Sequence, residues 1–192
     1  MKKVICLQCE DFVEYKLKEI EDVCVIKDEE VKYKRQAAIC QHCHEEVWVE
    51  EVDLYNANAP IEQYCKDHGL ITISEIKDLL QKYNIGKKPL SKLLGWGEIT
   101  LSRYIDGQIP TKIYSDKLQS LKDPIVFYKL LEENKDKITE DAYRNALKKI
   151  ENFIQLVDYE VLNEFIYYIE ERYILNYTFN GGKVCNKQLC AC

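Results

Sequence analysis

Two pairs of cysteines near the start of the chain have the spacing of metal ligands. Cys6 and Cys9 form one C-x-x-C pair, and Cys40 and Cys43 form a second. Four thiolates complete the tetrahedral shell of a structural zinc ion when each pair lies on a tight turn. The pairs therefore predict one structural zinc per chain, with four protein ligands and no open position for catalysis.

Other interpretations of the same cysteines are a redox pair or four free buried thiols. A redox C-x-x-C motif begins a helix within a βαβ pattern, which this sequence lacks. His42 and His44 are further candidate ligands, but we rank both below Cys43 because the two pairs already supply four. The 30 residues between the pairs exceed the usual ribbon spacing, and a hairpin of strands would bring the pairs together.

The chain has nine cysteines in all, and five lie outside the pairs. We interpret Cys24, on a predicted strand, and Cys65, on a predicted helix, as small apolar core residues. Cys185, Cys190 and Cys192 have no matching second pair. We interpret them as disordered thiols, and a second, weak metal site is the alternative.

A second chemically suggestive stretch is GWGEITLSRYIDG, residues 95–107. It predicts a short helix, Glu98–Ile105, that follows a glycine-rich turn. Trp96, Leu101 and Tyr104 would pack on the preceding helices. The opposite face would present side chains at i, i+3, i+4 and i+7, namely Ile99, Ser102, Arg103 and Asp106. Arg103 is the candidate base-reading residue, because its guanidinium matches guanine O6 and N7.

The surroundings of this stretch suit a phosphate backbone. The chain carries a net charge of −6, but residues 84–122 contain 7 Lys and Arg against 3 Asp and Glu, a local net of +4. Thr100 and Ser102 can reach bases or phosphates, whereas Glu98 and Asp106 are unfavourable there. The candidate phosphate contacts are Lys87, Lys88, Lys92 and Lys112. The alternatives are a plain helical bundle and a helix-turn-helix domain used for protein contact.

The elements that would position these residues change along the chain. Residues 1–50 favour strands, with a turn at 27–30, and Asn56–Pro60 predicts a linker before a short helix, Ile61–Asp67. From residue 72 the period is helical, beginning at a capping box formed by Thr72 and Glu75. Five short helices with a tight turn before the third predict an Xre-type helix-turn-helix. Two further helices are predicted, from Thr139 to about Leu156 and over 158–176.

We therefore expect an α+β protein. A β-rich zinc-binding domain (1–58) precedes a linker helix (59–71), an all-α helix-turn-helix domain (72–138) and a C-terminal helical extension (139–192). The composition, 46% hydrophobic and 31% charged, is that of a globular chain. No apolar run is long enough to span a membrane, and no apolar signal core follows Met1. We expect the protein in the cytoplasm.

Together these motifs resemble those of the MqsA-type, or YgiT-type, antitoxins of bacterial toxin–antitoxin pairs. The resemblance covers residues 4–135. It is carried by the two cysteine pairs, by Tyr64-Cys-Lys-Asp-His-Gly-Leu70, and by LSKLLGWGEITLSRYIDG, with Ser102-Arg103-Tyr104 in the family's positions. The GWGEITLSRY form also looks like regulators with a SocA-like (Panacea) segment, of which the last fifty residues would be a variant.

The resemblance implies that zinc on Cys6, Cys9, Cys40 and Cys43 holds the N-terminal fold and that this domain contacts a toxin. It also implies that the helix-turn-helix domain forms a homodimer on a palindromic operator in its own promoter. Arg103 matches the family's base-reading Arg. Ile99 stands where the family has Asn, and Ile can contact only a thymine methyl group.

The sequence therefore favours a DNA-binding autorepressor of the antitoxin kind. The alternative is a protein-interaction module, in which the acidic residues 1–69 bind a basic partner and DNA binding is secondary or lost. We do not expect an enzyme, because the chain has no phosphate-binding glycine loop, no nucleophile elbow and no carboxylate pair with an acid–base partner.

Overall fold

The computed structural model describes residues 3–154, which form an antiparallel four-stranded sheet followed by seven α-helices. The α+β class predicted from the sequence is confirmed. The strands are β1 (Lys3–Cys6), β2 (Asp11–Ile26), β3 (Glu29–Cys40) and β4 (Glu46–Val47), in the sheet order β1-β2-β3-β4. The helices are α1 (Glu50–Asp67), α2 (Ile73–Lys82), α3 (Lys87–Leu93), α4 (Thr100–Ile105), α5 (Lys112–Ser120), α6 (Pro124–Glu133) and α7 (Glu140–Ile154), with a 3₁₀ turn at Lys135–Lys137.

The sheet is dominated by one long hairpin, β2–β3. The two strands pair without interruption from Tyr15 opposite Cys40 to Ile26 opposite Glu29. The turn consists of Lys27 and Asp28, both with positive φ, as a tight two-residue hairpin turn requires. The predicted turn at 27–30 is thus in the right place but narrower, because Glu29 and Glu30 already belong to β3.

The predicted linker at Asn56–Pro60 is wrong, because α1 runs unbroken from Glu50 through Pro60 to Asp67. Contacts with the sheet outweigh the breaker residues. The Asn56 side chain accepts a 2.7 Å hydrogen bond from the Gln36 backbone N–H and donates another to its carbonyl. The helix therefore lies against β3, and the predicted domain boundary at 58 falls inside it.

Two of the helices, α2 and α6, begin at residues whose side chains cap them. Thr72 and Glu75 form the predicted capping box at the start of α2, and Asp123 caps α6 through the N–H of Ile125. The helix predicted over 98–105 begins only at Thr100, after a turn that includes Gly97. The helix predicted over 158–176 and the Cys185, Cys190 and Cys192 tail lie outside the described residues.

The described residues pack around two separate hydrophobic cores. The smaller joins the sheet to the start of α1 and includes Cys6, Val13 and Cys40. The larger is built by α2–α7 and contains Tyr83 and Phe127, whose rings stack with centroids 3.8 Å apart. Within residues 3–154, no helix combines the length and the apolar character needed to cross a membrane.

Candidate metal centre and nucleic-acid interface

The four paired cysteines converge on one point. All four sulfur atoms lie within 4.8 Å of one another. Cys6 Sγ is 3.5 Å from Cys43 Sγ, and Cys9 Sγ is 3.9 Å from Cys40 Sγ. A zinc ion with Zn–S bonds of about 2.3 Å requires tetrahedral S···S edges of about 3.8 Å. The cluster can bind one metal ion and is compatible with zinc.

Sheet pairing explains how two cysteine pairs so far apart in sequence meet. The first pair spans the end of β1 and the turn to β2, and the second spans the end of β3 and the turn to β4. Cys40 is opposite Tyr15 on β2, while Cys6 is opposite Asp11, near the same end of that strand. The long insert is the β2–β3 hairpin, which extends away from the site.

Each cysteine turn closes in the same way. The residue after the second cysteine, Glu10 or His44, has a positive φ, which returns the chain to the sheet. In the second turn, the backbone N–H of His44 donates to the Cys40 carbonyl, and that of Cys40 donates to the Glu45 carbonyl. These backbone hydrogen bonds hold Cys40 and Cys43 on one side of a tight turn.

The thiols of the cluster are electrostatically unequal. Burial alone would raise the pKa of Cys40, but hydrogen bonds outweigh it and lower that pKa to about 6. They come from the backbone N–H groups of Cys43 and His42 and from the neighbouring thiols; the His42 N–H lies 3.3 Å from Cys40 Sγ. At Cys9, the hydrogen bond with the Cys43 side chain, followed by burial, raises the pKa to about 12. A divalent cation would remove this difference between the cysteines, because it would stabilise the thiolate form of all four.

Among the described residues, no other cysteine or histidine side chain joins this cluster. His42 and His44 are exposed beside it. Cys65 is buried in α1, as expected of a small core residue, and burial raises its pKa to about 11. Cys24 is only half-buried on β2.

The predicted base-reading helix, α4, is amphipathic in the expected sense. Leu101 and Tyr104 are buried against the larger core, whereas Ile99 and Arg103 are exposed. The guanidinium of Arg103 forms no ion pair with any residue in 3–154. Gly95, with φ +72°, shapes the turn between α3 and α4 that leads to this face. Thr100 and Ser102 are half-buried.

The predicted phosphate-contacting lysines differ in whether a carboxylate pairs with them. Lys88 and Lys92 both pair with Glu98, at 2.7 and 3.0 Å. Lys112 pairs with Asp116 at 2.9 Å. Lys87 is exposed, and its ammonium has no carboxylate partner within the described part of the chain. Of the predicted cations on this surface, Lys87 and Arg103 thus offer the least compensated charge.

Sequence reasoning missed a groove between the two outer strands of the sheet. It has a volume of about 580 Å³ and is lined by residues 4–8 and 45–51. Leu7 and Trp48 beside it are 87% and 70% exposed, far more than large apolar side chains usually are. The only signal in the sequence was a tryptophan among glutamates, which does not reveal that β1 and β4 face each other.

No family model matches this sequence, and no curated protein shows significant similarity to it. The resemblance to MqsA-type antitoxins therefore remains a prediction that rests on the motifs alone. The four-cysteine cluster, the N-terminal sheet and the helices that follow it agree with its coarse layout.

Proposed function

We propose that this protein is a zinc-stabilised, DNA-binding transcriptional regulator that represses its own promoter as the antitoxin of a toxin–antitoxin pair. The observation that carries the proposal is the guanidinium of Arg103, exposed and unpaired among residues 3–154, on a helix whose other face is buried. A side chain that reads a base needs unpaired N–H donors and a helix that is held rigidly in place.

The other residues of this surface take supporting roles. Ile99 would contact a thymine methyl group, while Thr100 and Ser102 would donate to bases or phosphates. Lys87 would neutralise a phosphate directly. Lys88, Lys92 and Lys112 would exchange their carboxylate partners for phosphates, so their net contribution is smaller. A homodimer would place two such surfaces on the halves of a palindromic operator.

Zinc would have a structural role in this protein. Four thiolate ligands from Cys6, Cys9, Cys40 and Cys43 fill a tetrahedral shell, and the ion would join the two turns at the base of the sheet. No catalytic step is part of the proposal, and the reducing cytoplasm would keep these thiols available for the metal.

The test compares Arg103→Ala with Arg144→Ala, since Arg144 is also an exposed arginine but lies on α7. The probe is a duplex from directly upstream of the protein's own gene, titrated by fluorescence anisotropy beside a scrambled duplex. Arg103→Ala should weaken binding to the upstream duplex by about 1–3 kcal/mol, roughly 5- to 150-fold, and reduce selectivity. Arg144→Ala should bind like wild type. Equal affinity for the two variants would remove Arg103 from the interface.

A second candidate function, a protein-interaction module, is favoured by the groove between β1 and β4. Glu45, Glu46, Glu50 and Glu51 line it, and within residues 3–154 it has no basic lining residue. Exposed Leu7 and Trp48 add apolar contact area. A basic protein with a protruding apolar side chain fits this surface, and a toxin of that chemistry would unite the two candidate functions.

This candidate is tested with the product of the reading frame adjacent to the gene. Trp48→Ala should reduce co-purification of that product at least tenfold, because exposed aromatic residues often dominate such contacts. Leu54→Ala is the control, since Leu54 is 59% exposed on α1 but does not line the groove. If wild type binds the product but no DNA at low salt, the module alone is the function.

A further inference from the structure

The long strand β2 has a free edge. β1 pairs only with Asp11–Glu14, so β2 continues from Tyr15 to Ile26 with β3 on one side alone. No other strand in residues 3–154 pairs with that stretch. Three of its side chains, those of Leu17, Val23 and Val25, are 54%, 51% and 69% exposed.

The opposite edge of the hairpin is covered where α1 and β4 meet it. The backbone N–H and carbonyl of Gln36 point away from β2 and are both bonded by the Asn56 side chain. β4 pairs with Ala38 and Ile39 further along β3. Among the described residues, the outer edge of β2 beyond Glu14 has no comparable cover from a strand or helix.

The covered edge also shows which residues of β2 direct their backbone N–H and carbonyl groups toward the free edge. Glu19 of β2 is opposite Gln36 of β3. In an antiparallel pair of strands, the backbone N–H and carbonyl groups of two opposed residues either all point toward the other strand or all point away from it. Because those of Gln36 point outward, those of Glu19 do so as well. The register is continuous, so every odd-numbered residue from Tyr15 to Val25 directs its N–H and carbonyl to this edge. The Val23 N–H donates there to the Asp22 side chain at 2.8 Å and would exchange that bond for one to the second copy.

We propose that the occupant of this edge is a second copy of the chain, paired antiparallel through β2 about a two-fold axis at Ile20. In that register the odd-numbered residues form the new hydrogen-bonded ladder. Leu17 lies opposite Val23 of the other copy, and Tyr15 lies opposite Val25. All three exposed apolar residues thereby gain apolar neighbours, which is the main source of stability in cross-strand pairs.

Neighbouring registers that keep the two-fold symmetry are poorer. With the axis at Lys18, that lysine faces itself and Leu17 faces Glu19. With the axis at Glu19, that glutamate faces itself and Leu17 faces Glu21. With the axis at Glu21, that glutamate faces itself and Val23 faces Glu19. Like charges directly opposite each other destabilise a sheet. Of these registers, only the one at Ile20 gives each of the three exposed apolar side chains an apolar residue opposite it.

Charges in the chosen register are also compatible. Lys18 would lie opposite Asp22 of the other copy, on the same face as the two Ile20 side chains. Glu19 lies opposite Glu21, but Lys34 on β3 pairs with Glu19 at 3.2 Å and lies directly across from Glu21. Lys34 therefore reduces this repulsion in each copy.

This pairing is independent of the proposed DNA binding, and its test uses the full chain by sedimentation velocity over a range of concentrations. Leu17→Lys and Val23→Glu should each weaken self-association about tenfold, because symmetry repeats each change twice. The double variant Leu17→Lys with Val23→Glu should restore it, since each introduced lysine would then face an introduced glutamate of the other copy. An equimolar mixture of the two single variants should associate as well.

The control pairs Leu17→Lys with Val25→Glu, which the register does not place opposite each other, and it should not restore association. Circular dichroism and zinc content should match wild type throughout, because the altered side chains are exposed. Absence of wild-type self-association, single variants that associate like wild type, or a double variant as weak as the singles would each overturn the proposal. A different partner on this edge, or the chain's own residues beyond 154, would give one of these results. Where the helical part also dimerises, the single variants should change a tetramer into a dimer.

Discussion

Neighbouring groups, more than residue type, determine what each cysteine of this chain can do. Cys65 is a buried thiol outside the metal cluster, and burial raises its pKa to about 11. Cys40 is equally buried, yet backbone N–H groups and other thiols lower its pKa to about 6. The first environment favours an inert thiol and the second favours a ligand for a cation.

This contrast predicts the result of replacing single cysteines. Cys40→Ser should lower zinc content from near one ion per chain to near zero, because serine is a poor zinc ligand and only three thiolates remain. Cys24→Ser should keep its zinc, since Cys24 is a thiol outside the cluster. Elemental analysis by plasma mass spectrometry after desalting measures both. Zinc retained in Cys40→Ser, or lost in Cys24→Ser, would contradict the assignment.

At the scale of elements, one carboxylate controls the charge of the α3–α4 unit. Glu98, in the turn before α4, pairs with Lys88 and Lys92 of α3. The two lysines, Lys88 first, hold the pKa of Glu98 below its usual value. The carboxylate therefore stays charged at neutral pH and masks two of the cations that would face DNA.

Removing that charge should expose the lysines to phosphate. We expect Glu98→Gln to strengthen binding to a scrambled duplex and to steepen the slope of log K against log salt concentration by about 1–2 units. Asp116→Asn, which frees only Lys112, should change the slope by about one unit at most. Anisotropy titrations between 50 and 200 mM salt, a range typical of such work, measure both. An unchanged slope for Glu98→Gln would place this surface away from DNA.

At the scale of the whole molecule, the two cores differ in what stabilises them. The helical core consists of fully buried aromatic and aliphatic side chains, among them Tyr83, Phe127 and Leu131. The sheet core is small, and two of its buried members, Cys6 and Cys40, belong to the cluster that can bind a metal ion. We expect a small core of this kind to gain much of its stability from an ion bound at the cluster.

Chelation should therefore unfold the sheet before the helices. With excess chelator, hydrogen–deuterium exchange should rise across residues 3–47 and stay low in α2 and α6, whose backbone is protected by the larger core. Added zinc should reverse the change. A preparation that exchanges alike with and without chelator would show that the cysteines need no metal to hold the sheet.

Much of this architecture follows from local sequence. The cysteine spacing, the capping box at Thr72 and the apolar period of α2 each depend on residues within one turn or one helix. Short-range chemistry of this kind is readable directly, so the α+β class, the four-cysteine cluster and the buried face of α4 were predictable. The break expected at Pro60 failed because its outcome depended on Asn56 reaching Gln36, a contact between distant parts of the chain.

By itself, the sequence determined which side chains could bind a metal and which helix could present Arg103, because these properties depend on residue type and local spacing. Only the tertiary structure decided that Glu98 pairs with Lys88 and Lys92 and that β1 and β4 enclose a groove. It also decided that β2 has no second strand partner beyond Glu14 among residues 3–154. Ion pairs and strand edges depend on which segments of the chain become neighbours in space. The sequence of the loops that join those segments does not reveal which segments these are.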